Sequence, residues 1–136
     1  MAAFSPIRLA GLGVQQIAVG RALLPGAIHQ LVILVTAAKF GARYAIYGHE
    51  YFARRAGLSE DKIATITAGE RPAHLTDDER AAYDMAAALN RGGILPETTY
   101  QAVVQRFGEQ GAAEVVFLVG CFSMVAVTLN AFDAGD

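Results

Sequence analysis

Apolar positions along the chain recur at three- and four-residue spacing, and no stretch alternates apolar with polar residues, so the pattern predicts helices and no sheet. The first segment is the weakest: Ile7, Leu9, Leu12, Val14, Ile17 and Val19 suggest a helix that Gly11, Gly13 and Gly20 interrupt. Leu24-Pro25-Gly26 then punctuates the chain, and Pro25 suits the first turn of a strongly apolar helix running to about Phe40. A helix from Ala42 to Ala56 follows, with Gly57 where a left-handed residue ends a helix at least cost. Ser59 caps a short helix from Glu60 to about Ala68. Thr76-Asp77-Asp78-Glu79 has the capping-box pattern and opens a helix to Asn90, which Gly92-Gly93 stops. Pro96 opens a helix that ends at Gly108, and the last helix spans roughly Gln110 to Phe132. Six or seven helices with short connections predict an all-α bundle, and residues 1–136 read as a single domain.

With 54% hydrophobic and 18% charged residues, the charged surface is thin for a small monomer, which predicts self-association. The net charge of −2 and the scattered basic residues lack the electrostatic footprint of a nucleic-acid binder. Cys121, the single cysteine, excludes an intrachain disulfide and any CxxC motif and fits a cytoplasmic location. Met1 to Gly20 carries only Arg8 as a charge and reads poorly as a secretory signal. Val115 to Phe132 is uncharged and approaches membrane-spanning length, but Gly120, Ser123, Thr128 and Asn130 and the want of a second candidate span favour a buried core helix.

Candidate chemistry centres on the Ala42–Ala56 helix. Ala42, Ala45, Ile46, His49, Phe52, Ala53 and Ala56 share one face by spacing, so His49 points inward, while Arg43, Tyr47, Glu50 and Arg54 take the other side. His49 reads either as a core histidine with satisfied ring nitrogens or as a general acid or base. Glu50 and Arg54 form a favourable four-residue pair that also suits a solvated ion pair. Tyr44, Tyr47 and Tyr51 offer phenolic hydrogen bonds to a ligand or aromatic area to another subunit. His29 and Gln30 interrupt an otherwise apolar helix and need partners if buried, which places them as candidates for the cavity of His49. Cys121 lies in an apolar run with no cation within a helical turn and reads as a packed thiol. The three dispersed histidines make no metal-ligand spacing, and the chain has no phosphate-binding glycine loop.

Two segments then carry a resemblance. The apolar helix His29-Gln30-Leu31-Val32-Ile33-Leu34-Val35 precedes Tyr47-Gly48-His49-Glu50 and the phrase Ala56-Gly57-Leu58-Ser59-Glu60, and the tail Val115-Val116-Phe117-Leu118-Val119-Gly120 ends near Asn130-Ala131-Phe132. Together they resemble the carboxymuconolactone decarboxylase family within the alkylhydroperoxidase D-like superfamily. The resemblance implies that superfamily's helical bundle, a cofactor-free site near His49, a small carboxylated substrate and a trimer or hexamer. Its peroxide-reducing members carry a glutamate and two cysteines where this chain has Gln30, Ala42 and Ala45, so the CxxC pair that their peroxide reduction needs is missing. Decarboxylase members commonly carry a glutamate where Ala45 stands. The expectation is a cofactor-independent lyase acting on a carboxylated lactone-like or aromatic-catabolism compound. His49 is its general acid or base, and Gln30, His29, Arg43, Tyr47 and Glu50 are candidate substrate contacts. The alternative is a catalytically reduced member that binds a small ligand or serves assembly. Neither reading calls for a metal, a nucleic acid or a membrane.

Overall fold

The computed structural model describes residues 23–132, and the weak helix expected around Ile7 to Val19 lies outside them. Five helices follow in order: α1 (Gly26–Phe40), α2 (Arg43–Arg55), α3 (Glu60–Thr67), α4 (Asp77–Arg91) and α5 (Glu97–Ala131), with no strand among the described residues. The all-α expectation holds for this region.

α1 is the centre, because it packs against each of the other four helices. Its side chains explain this position. Leu31, Val32, Ile33 and Leu34 are consecutive and all buried, so the helix has no polar face to turn toward water and is stable only when surrounded. Thr36, also buried, donates to the Val32 carbonyl at 3.0 Å and accepts from Asn90 Nδ2 of α4 at 3.1 Å, a polar tie inside the apolar interior. Gly41 ends α1 with φ of 61°, the left-handed geometry that glycine adopts without a side-chain penalty.

α4 starts on the expected capping box. The Glu79 amide donates to Thr76 Oγ1 at 3.2 Å and the Thr76 amide donates to Glu79 Oε1 at 2.8 Å. Lys62 of α3 donates to the same Glu79 oxygen at 2.7 Å, which ties the short helix to the start of α4. α5 refines the expected pair of C-terminal helices. The break falls at Gly108 (φ 74°, ψ 175°), but helix resumes at once, so the two segments form one kinked element. At the kink a Cβ on Gly111 would lie 2.3 Å from the Phe107 Cβ, too close for any side chain.

After the kink, α5 enters the core through Ala112, Val115, Leu118 and Val119. It is long and apolar enough to cross a bilayer, with core packing over part of that length. Further on, Met124, Val127 and Phe132 are exposed. A second, smaller apolar contact joins Ala37 of α1, Ala42 at the start of α2, Ala45 and Ala126, where small side chains let three helices come close.

Candidate functional site

Ala45 and Ala53 are the buried positions of α2, and His49 stands one turn from each, so packing of those methyl groups fixes the direction of the imidazole. The ring is half-buried between aromatic side chains. Phe122 of α5 meets it edge-on at 5.0 Å and Phe52 lies at 5.9 Å. Its Nδ1 is 2.8 Å from Gln30 Oε1 on α1. An amide oxygen only accepts, so Nδ1 carries the proton and the neutral ring leaves Nε2 with a free lone pair. Burial, and then the positive charge that His29 can carry, lower the pKa of His49 below its ordinary value of 6.5. At neutral pH the ring is therefore mainly the neutral base.

His29 sits beside Gln30 on α1, and its Nδ1 is 3.1 Å from Glu114 Oε2. Glu114 is fully buried in the apolar stretch of α5. Its other contacts are the Leu23 amide, at 2.5 Å from Oε1, and the Leu24 amide, at 3.2 Å from Oε2. The carboxylate therefore joins the chain entering α1, the His29 ring and the middle of α5 in one network.

One of the sequence candidates, Gln30, thus meets His49 directly, while His29, its neighbour on α1, pairs with Glu114. The candidates Arg43, Tyr47 and Glu50 lie elsewhere on α2. Arg43 is exposed in its first turn, and Tyr47 is 78% exposed, two residues from His49 and on the far side of the helix. Glu50 is 3.8 Å from Arg54, which also pairs with Glu60, so this arginine is held at the surface by two carboxylates. Tyr47, Glu50, Tyr51, Phe52 and Arg54 line an open depression of about 340 Å³ on this outer face.

Glu114 and Phe122 were missed by the sequence reading. The available signal was a lone carboxylate in a long apolar run, which has to find donors when buried. Ala42 and Ala45 are packed methyl groups in the small apolar contact. Among the described residues no group of three His, Cys, Asp or Glu side chains is placed to hold a metal ion. Comparison of the chain with known protein families, curated proteins and solved structures finds no match.

Proposed function

We propose that the protein is a cofactor-independent acid–base enzyme, a lyase acting on a small carboxylated, lactone-like compound, with His49 as the group that handles the proton. One observation carries this reading: a half-buried imidazole has Nδ1 fixed by Gln30 and its pKa lowered, which leaves Nε2 to exchange a proton near neutral pH. The resemblance to carboxymuconolactone decarboxylases supplies the substrate class and the assembly into a trimer or hexamer. A cytoplasmic location belongs to the same proposal.

The position one turn before His49 on the same face of α2 holds Ala45 in place of a carboxylate, and Glu50 pairs with Arg54 on another side, which favours a second reading. Ala45 is packed and cannot serve as the acid of a pair on that helix. Under this reading the chain keeps the scaffold and binds a small ligand without turnover.

His49→Gln separates the two. The amide has similar reach but exchanges no proton near neutrality, so turnover of carboxylated lactones should fall about 10²- to 10⁴-fold while fold and assembly persist. Carbon dioxide release and substrate absorbance would be followed without added metal, flavin or nicotinamide. An undiminished rate in the folded variant would make His49 structural, and wild-type binding of such acids without turnover would support the ligand-binding reading.

A further inference from the structure

We infer that a cleft between α1, α3 and α4 is a second ligand site, which takes a small organic carboxylate with an apolar body and stands apart from His49. The cleft encloses about 470 Å³, a volume in the range of small-molecule sites. Val35 and Ala38 of α1, Ile66 of α3 and Ala87 of α4 form its apolar wall, and Gly69 after α3 adds no side chain to fill it. Its described lining includes no residue of α2 or α5, the helices that carry His49 and Phe122. On α1, Lys39 follows Gln30 by nine residues, about 13 Å along the axis and on the opposite side of the helix. The cleft and the His49 contact therefore use different ends and faces of α1.

The charges in the cleft have one sign. Lys39 and Arg91 both line it, and no carboxylate does among the described residues. Arg54, Lys62, Arg71, Arg80 and Arg106 each pair with a carboxylate, whereas Lys39 and Arg91 form no ion pair among the described residues. Lys39 Nζ donates to the Asn90 carbonyl near the end of α4, a common use of a cation at a helix C-terminus. That engages one of its three N–H donors, and the planar fork of Arg91 matches the two oxygens of a carboxylate. Tyr83 lines the same cleft, with the Arg71 guanidinium 5.8 Å from its ring centroid. Burial, aided by Asp84, holds its hydroxyl above the ordinary value of 10.0 against the pull of Arg71 and Arg91, so the hydroxyl stays protonated. Asn90 Nδ2 donates to Thr36 Oγ1 and to the Ala86 carbonyl, which leaves Oδ1 a buried acceptor with no partner among the described residues. An orphaned acceptor in a residue of the cleft wall calls for a donor, and a bound ligand is a source of one. The apolar wall and the two cations together select the occupant. A carboxylate with an aliphatic or aromatic body covers the wall and presents its oxygens to Lys39 and Arg91, whereas inorganic phosphate leaves the wall wet.

Amide NMR of the full chain titrated with hexanoate or benzoate tests this assignment. Saturable shifts should centre on Ala38, Lys39, Gly69, Ala87 and Arg91, and they should persist in His49→Gln, which makes the result independent of the lyase reading. Hexanamide and benzamide keep the body without the charge, and inorganic phosphate keeps charge without the body. Each should bind at least about tenfold more weakly than the acids. Both cations are exposed, so Lys39→Gln combined with Arg91→Gln should remain folded and lose affinity by a similar factor. Lys39→Arg, which keeps the charge, should retain binding, and Ala87→Leu should fill the cleft and remove saturation. No saturable shift with either acid, shifts confined to the surroundings of His49, or equal binding of acid and amide overturns the inference. So does undiminished binding in the folded double variant, which would leave Lys39 and Arg91 as caps of α4 alone.

Discussion

Glu114 illustrates how much one side chain decides here. A carboxylate with no solvent exposure is tolerable only because two backbone amides and an imidazole meet it, and each of those donors in turn depends on it. Glu114→Ala should therefore cost about 1–3 kcal/mol of unfolding free energy in urea titration, the scale of leaving buried donors without an acceptor. Glu114→Gln keeps an acceptor for the amides and should cost clearly less. Equal losses for the two variants would mean that the carboxylate charge, which both remove, matters more at this position than the acceptor geometry or the volume that Gln keeps. At the same scale, the lowered pKa of His49 fixes where activity falls off. If neutral His49 is the base, the acidic limb of the kcat/KM profile lies below the ordinary histidine value of 6.5.

At the scale of elements, the start of α4 combines three interactions on one residue. Glu79 closes the capping box with Thr76 and accepts from Lys62 of α3. Burial alone would raise its pKa, but the hydrogen bonds and charge of Lys62 and the Thr76 contacts outweigh burial and hold it below the ordinary value of 4.5. Because the folded value lies below the unfolded one, the stability Glu79 contributes is complete above the ordinary range and is lost as pH falls through 4.5 toward the folded value. Chemical denaturation of wild type and Glu79→Gln should thus differ at neutral pH and converge in acid, while Thr76→Ala should cost about 1 kcal/mol at neutral pH. The elements themselves were largely legible in the sequence. Pro25, Gly41, Gly57, Ser59, Thr76 and Gly92 act on the backbone within a few residues of themselves, and the helices begin and end at or beside them. At Gly108 the local signal marked the break correctly, but the immediate resumption of helix depends on a close approach at Gly111 that spacing does not reveal.

At the scale of the whole molecule, the surface carries apolar area that the described bundle leaves uncovered. Tyr44, Tyr47, Tyr51 and Phe52 on α2 and Met124, Val127 and Phe132 near the end of α5 are exposed large side chains. Exposed aromatic and aliphatic residues in this number suit contacts between subunits. Sedimentation at micromolar concentration should show a trimer or hexamer, and Tyr47→Glu, at the most exposed of the tyrosines, should shift it toward monomer. A wild-type monomer under those conditions contradicts the proposed assembly.

The sequence by itself determined that the described chain is helical, where most of its helices start and stop, and that its single cysteine forms no CxxC pair. These follow from nearest-neighbour backbone chemistry and from which atoms exist. It also placed His49 on the inward face of its helix, because helical periodicity is a local property. Only the tertiary structure decided what that histidine meets. Gln30 lies 19 residues from His49, and Glu114 lies 85 residues from His29. Such pairs form when α1 is enclosed by α2 and α5 and each buried polar group must find a partner among the atoms that packing brings within reach. No spacing along the chain encodes that choice, since it depends on how three helices share one interior.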